Sequence, residues 1–173
     1  CVIGKQTHVA RILHKLNHLG GSLDPHACFL LHRGMKTLSL RVRQQNGNAL
    51  RLAQSLSAHP AVERVNYPGL EDHPQHDRAK TLFEGCGGVL SFEARGGVRE
   101  ADALISRLKL PICAPSLGGV ESLITRPATT SHSGLTPEER SALGIDEGLV
   151  RVAVGIEAAQ DLCADFAQAL DQL

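Results

Sequence analysis

The 173-residue chain balances 18 basic against 18 acidic side chains, is 42% hydrophobic and only 3% aromatic, and has no tryptophan. Balanced charge excludes the basic footprint of a nucleic-acid or membrane-surface protein, and so few aromatics leave little for base stacking. The length suits one domain, or a small domain with a piece of another.

The chain opens on Cys1 rather than Met, and CVIG reads as a strand end cut from something longer. In THVARILHKLNHLG, Val9, Ile12, Leu13, Leu16 and Leu19 recur at helical spacing until Gly20-Gly21 stops the helix. In SLDP, Asp24 is an N-cap and Pro25 a first helical residue, so ACFLLHRGM reads as a short, largely buried helix. A long helix is predicted from Leu38 to Ser57, its buried side marked by Leu40, Ala49, Leu52, Ala53 and Leu56. Gln44 to Asn48 form a polar stretch inside it. AVERVNY alternates like a strand, with Val62 and Val65 inward and Glu63 and Arg64 outward. YPGL is a turn, and HPQHDRAKTLF a helix from Pro74. GGVLSFEA is a second strand, Val98 to Leu108 a helix, and LPICAP a third strand. SLGGVESLITRP gives a loop and a fourth strand. Thr136, Pro137 and Glu139 compose a capping box. LVRVAVG is the last strand, and Ala158 to Leu170 the closing helix. Helices followed by alternating strands and helices imply an α+β fold: a small, mostly antiparallel sheet with helices on one face. The seam expected in the chain lies at Gly20-Gly21.

Two residues ask for an explanation. Arg151 stands among Leu149, Val150, Val152, Ala153 and Val154, where an unpaired charge is costly. It reads either as the partner of a carboxylate of its own chain or as a bidentate clamp for a small carboxylate ligand. Ser116, before Leu117-Gly118-Gly119, reads either as a turn hydroxyl or as a donor to the same anion, beside glycines that let backbone N–H groups approach.

Other candidates read more plainly. Arg33, Lys36, Arg41 and Arg43 form a solvated or interface-facing cluster without the glycine pattern of a phosphate loop. His73 and His76 read as helix-start and turn chemistry. Nine histidines and five cysteines show no HExxH, CxxC or other ligand spacing, so no metal is expected. Unpaired cysteines fit a reducing, cytoplasmic compartment. Cys86 lacks the surroundings of a nucleophile. Ser131-His132 suggests a hydrolase dyad, but adjacent side chains point apart and no GxSxG elbow is present. No run is long enough to span a bilayer, and no signal-peptide pattern is seen.

The stretches LDPHACFLLHRGMKTLSLRVRQQNGNAL, HPAVERVNYPGLEDHPQH, GCGGVLSFEARGG, PSLGGVESLITRPA and LVRVAVGIE resemble, in order and spacing, the Cys/Met-metabolism pyridoxal-phosphate enzymes. CVIG, RGMKTLSLRVRQQN and APSLGG are most similar to the plant-type cystathionine γ-synthases. The resemblance implies the C-terminal domain of a fold-type I pyridoxal-phosphate enzyme. Residues 1–21 would be the tail of the large cofactor-binding domain, and 22–173 the small domain. It implies pyridoxal 5'-phosphate held mainly by an upstream domain, with the Schiff-base lysine also upstream. Lys5, Lys15, Lys36, Lys80 and Lys109 do not match that position.

The resemblance further implies that Arg151 grips the α-carboxylate of an amino-acid substrate, with Ser116 helping to position it. It places Ser131 and Leu117 near the cofactor. The reaction implied joins an O-acylhomoserine and L-cysteine into L-cystathionine, in a homotetramer with no nucleic-acid or membrane partner. γ-Lyase or sulfhydrylase activity, and a non-catalytic amino-acid-binding or assembly domain, remain alternatives. Pro115 stands where some subfamilies carry Glu, which would recognise the amino group of a second substrate.

Overall fold

The computed structural model describes residues 2–173 and divides at Leu38–Ser39 into two compact units.

The first unit holds two helices, α1 (Gln6–Leu19) and α2 (Pro25–Met35). The carboxylate of Asp24 accepts from the backbone N–H groups of His26 and Ala27 at 2.9 and 3.0 Å, capping α2 above Pro25. The expectation of a largely buried α2 is overturned: none of its residues is buried, and Phe29, Leu30, Leu31 and Met35 are exposed. Consecutive apolar residues point round a helix in steps of about 100°, so no single neighbour covers them all. Val2 to Gly4 lie in no strand, against the reading of CVIG as a strand end; Cys1 lies outside the described residues. A strand needs a hydrogen-bonded neighbour, and none pairs with this segment among the described residues.

The second unit begins on α3 (Leu38–Ser57) and continues through β1 (Val62–Asn66), α4 (His76–Leu82), β2 (Val89–Ala94) and α5 (Val98–Arg107). It ends with β3 (Ile112–Cys113), β4 (Leu123–Thr125), a 3-10 turn (Pro127–Thr129), α6 (Pro137–Ala142), β5 (Leu149–Ala153) and α7 (Ala159–Leu170). The five strands form one sheet in the order β1-β2-β5-β4-β3, antiparallel except for the parallel β3–β4 pair.

One face of the sheet is the core. Leu90, Phe92, Ile124, Val150 and Val152 pack with Ala49, Leu52 and Leu56 of α3, Ala101 and Leu104 of α5, and Leu162, Phe166 and Ala169 of α7. Phe92 and Phe166 meet edge-to-face with centroids 6.1 Å apart, the favoured geometry of aromatic quadrupoles. Leu40 is exposed rather than buried. Its spacing from Ala49 carries it to the opposite side of a 3.6-residue helix. α4 starts at His76, not Pro74. The ring of His73 accepts from the Gln75 N–H at 3.1 Å, so Pro74 and Gln75 are spent in a turn before the helix. The capping box at Thr136 and Glu139 forms as its spacing predicts.

Candidate functional site

Register places the site. Ser91 lies opposite Arg151 in the β2–β5 pair, Thr125 lies opposite Arg151 in the β4–β5 pair, and Asn66 lies opposite Ser91. Side chains alternate along a strand, so Val150 and Val152 entering the helical layer send Arg151 to the other face. Asn66, Ser91, Arg151 and Thr125 therefore form a polar row across four strand positions, behind an apolar core.

Arg151 is half-buried. Its Nη2 donates to the backbone carbonyl of Pro115, and to that of Ser116 at 3.3 Å. Its Nε is buried and has no partner. Among the described residues no Asp or Glu pairs with it; the ion pairs belong to His59, Arg64, Arg126 and Arg140. Two carbonyl dipoles orient the guanidinium without neutralising it. With no carboxylate facing it among the described residues, the guanidinium suits an anion with two oxygens.

A cleft of about 240 Å³ opens onto this row, lined by Asn66, Ser91, Ser131, His132, Leu149 and Arg151. The structure thus brings Ser131 to the same cleft as Arg151. It corrects one expectation: Ser131 and His132 do not point apart, since Oγ lies 2.9 Å from His132 Nδ1. The two residues sit in a turn after the 3-10 segment, where neither strand nor helix alternation separates neighbours. Ser116 is joined to the site through its carbonyl, while its side chain is exposed. Leu117 is 58% exposed and does not line this cleft. Ser91 and Asn66 escaped the sequence reading, and His132 entered it only as half of a dyad that was set aside. Ser91 showed only as the polar position inside GGVLSFEA, and its pairing to Arg151 depends on a register that no local pattern encodes.

The polar stretch inside α3 holds the site loops. Gln45 Nε2 donates to the Gly119 carbonyl at 2.7 Å, and Asn48 Nδ2 to the carbonyls of Gly155 and Glu157 at 3.1 and 2.7 Å. Glu157 accepts from the N–H and the hydroxyl of Ser122 at 2.6 and 2.9 Å. The Ser122 hydroxyl oxygen in turn accepts from the Gly155 N–H at 2.9 Å. The segment leaving Ser116 and the segment leaving Arg151 are thus tied to one helix and to each other.

His73 and His76 serve turn chemistry, the second donating from Nδ1 to the Pro68 carbonyl at 2.9 Å. Among the described residues no three His, Cys, Asp or Glu side chains group as a metal site, and Cys28, Cys86, Cys113 and Cys163 are free thiols. Among the described residues no helix is long and apolar enough to cross a membrane.

This α+β arrangement is shared with known enzymes. A crystal structure of a cystathione gamma lyase from Micromonospora echinospora superposes with a TM-score of 0.91 at 40% identity, covering 98% of this chain and 44% of that one. The architecture is that of the C-terminal domain of a fold-type I pyridoxal-phosphate enzyme. The model of the Cys/Met metabolism PLP-dependent enzymes matches residues 1–171, and the chain belongs to that family. It is 46% identical over 173 residues to cystathionine gamma-synthase 1, chloroplastic, of Nicotiana tabacum, covering all of this chain and 32% of that protein. It is 42% identical over 174 residues to an L-methionine gamma-lyase of Treponema denticola, covering 99% of this chain and 43% of the relative. The chain therefore spans about a third to under half the length of these relatives.

Pyridoxal phosphate is the cofactor of this family. The cleft suits the carboxylate end of a substrate beside such a group: a cation with a free Nε–H, and the hydroxyls of Ser91 and Ser131. No lysine is among its lining residues, so nothing in it would hold the cofactor covalently.

Proposed function

We propose that the chain is the substrate-carboxylate-binding part of a transsulfuration enzyme, with residues 1–21 the tail of the large domain and 22–173 the small domain. The favoured reaction is that of a cystathionine γ-synthase: O-acylhomoserine and L-cysteine give L-cystathionine and the free carboxylic acid. One observation carries the reading. Arg151 faces a cleft, is aimed by two backbone carbonyls, keeps an unpartnered Nε, and has no carboxylate of its own among the described residues.

Pyridoxal phosphate, when bound, supplies the electron sink that makes the substrate Cα–H acidic. The chain's residues supply orientation. Arg151 receives the two carboxylate oxygens, and Ser116 approaches the same carboxylate from its loop. Ser131 and Leu117 lie towards the cofactor side. Fixing the carboxylate fixes which bond at Cα stands in the reactive orientation, and orientation of this kind accounts for much of catalysis. The covalent lysine belongs to a part of the protein outside this chain. The assembly is a homotetramer, and the free thiols suit a reducing cytoplasmic setting.

A γ-lyase or sulfhydrylase is the second reading, favoured by lyases standing close behind the synthases in identity. Pro115 leaves no acid before Ser116 to recognise a second amino group, so this position favours neither reading. The test incubates the full-length protein with O-acylhomoserine and L-cysteine. Cystathionine formation supports the synthase. Release of cysteine from cystathionine without the forward reaction makes it a lyase. Turnover only with sulfide in place of cysteine makes it a sulfhydrylase, turnover only of L-methionine makes it a methionine γ-lyase, and turnover in none of these assays leaves an amino-acid-binding or assembly domain. Borohydride reduction with peptide mapping locates the cofactor lysine, and an adduct on Lys5, Lys15, Lys36, Lys80 or Lys109 would overturn the domain assignment.

A further inference from the structure

We propose that His132 is a positioning residue for the Arg151 cleft: its ring fixes the hydroxyl of Ser131 against the substrate that Arg151 holds. The inference rests on the reading of that cleft as the site of the substrate carboxylate.

The cleft has a floor and a wall of different origin. Asn66, Ser91 and Arg151 rise from the sheet, whereas Ser131 and His132 come from the connection between β4 and β5, residues 126–148. That connection is fastened at its base. Arg126 donates from Nε and Nη2 to the Asp102 carboxylate of α5 at 2.6 and 3.1 Å, and from Nη1 to the Glu147 carbonyl at 2.8 Å. Entry and exit are thus tied to each other and to a helix of the core layer, so the wall stands at a set distance from the floor.

Within the wall, the hydroxyls divide their tasks. Those of Thr129 and Thr130 donate to the Arg126 carbonyl at 3.2 and 2.9 Å, and that of Ser133 to the Thr130 carbonyl at 2.9 Å. They fold the turn. The Ser131 hydroxyl serves no backbone group among the described residues; it meets Nδ1 of His132 at 2.9 Å. The backbone holds the His132 end of this contact: its N–H donates to the Pro127 carbonyl at 2.9 Å, and its carbonyl accepts from Leu135 at 3.2 Å. Ser131 is exposed and His132 half-buried, so both reach the space they line.

A serine hydroxyl turns freely, and ordering it on ligand capture costs entropy. Here the imidazole has ordered it beforehand. The bond does so in either direction: with the ring as donor the serine proton turns to the ligand, and with the serine as donor its lone pairs do. At about 240 Å³ the cleft is smaller than those that take drug-sized ligands, about 300–1,000 Å³, so a small amino acid gripped by Arg151 comes against Ser131.

The test is a double-mutant cycle on the Kd of L-cystathionine, measured by calorimetry with the full-length protein after borohydride reduction, which blocks turnover. Ser131→Ala and His132→Ala should each weaken binding about 3–10-fold, and the double variant no more than either alone. His132→Asn, whose amide reaches the place of Nδ1, should restore most of the affinity. His132→Gln, whose amide reaches towards the place of Nε2, should behave like the alanine variant. Thermal midpoints should stay together across the set. A full loss from His132→Ala in the Ser131→Ala background would overturn the proposal, as would unchanged affinity in His132→Ala or failure of the asparagine to rescue. Arg151→Met is titrated alongside: undiminished binding there overturns the carboxylate reading, while the cycle still reports whether His132 acts through Ser131. No saturable binding to the parent protein overturns both.

Discussion

Arg151 donates to the carbonyl of Ser116 at 3.3 Å, so the strand that carries the cation and the loop that carries the serine are already joined without a ligand. A planar fork with five donors can hold these carbonyls through one nitrogen and still present others. An ammonium at the same place could not span both tasks in one plane.

Arg151→Lys is therefore not conservative. With the full-length enzyme, kcat/KM for the amino-acid substrate should fall by about 10–100-fold, chiefly through KM, as expected for loss of one charge-assisted bond from a bidentate pair. Steady-state kinetics over a range of substrate concentration checks this. An unchanged KM would separate Arg151 from carboxylate binding.

Asn48 bridges two carbonyls that no other side chain reaches among the described residues. Asn48→Ala leaves the carbonyls of Gly155 and Glu157 without their side-chain donor and should cost about 1–3 kcal/mol. Urea denaturation should show a lower midpoint with an unaltered slope. A variant as stable as the parent would show that water replaces the amide.

Gly155 follows β5 where the chain passes close to another backbone. A Cβ there would sit 2.6 Å from the Glu121 carbonyl carbon and nearer still to the Val120 oxygen. Neither is a flexible side-chain end. Gly155→Ala should cost about 1–3 kcal/mol and shift the segment bearing Ser122. Thermal melts measure the loss, and kcat/KM should fall with it, because the displaced segment leads back to Ser116.

Burial, and after it the neighbouring Cys86, pushes the phenol of Tyr67 up to about 12. In the unfolded chain it ionises near about 10. The native state holds this proton more tightly, so the contribution to stability is complete below about pH 10 and is lost as the pH climbs to about 12. Tyr67→Phe carries no such proton. Its stability should decline less steeply than the parent's across that interval, in denaturant titrations repeated at several alkaline pH values.

Helices with a cap and a clean apolar stripe were legible from sequence. Asp24 and the Thr136–Glu139 box work through near neighbours, and local spacing reports near neighbours. Arg151 and Ser116 were legible as an incongruity, a charge in an apolar run and a hydroxyl before paired glycines. Their shared contact was not, because sequence does not show which loop folds over which strand. Ser91 and Asn66 enter the site through register, a long-range property. Gln45 and Asn48 read only as part of a polar stretch inside a helix; the carbonyls they serve belong to Gly119, Gly155 and Glu157, far along the chain. The exposure of α2 was misread for a related reason: an apolar run reports appetite for burial, not the presence of a covering surface.

The polar row across the sheet also divides the site by how readily its backbone opens. Ser91 and Arg151 hang from strands hydrogen-bonded on both sides and backed by the core, where amide exchange requires near-global opening. Ser116 hangs from an exposed loop that can exchange through local opening. On the proposed reading, recognition joins a fixed anvil to a breathing arm. Ordering on ligand capture falls mainly on the arm, so affinity can drift between relatives through loop mobility while the cation stays in place.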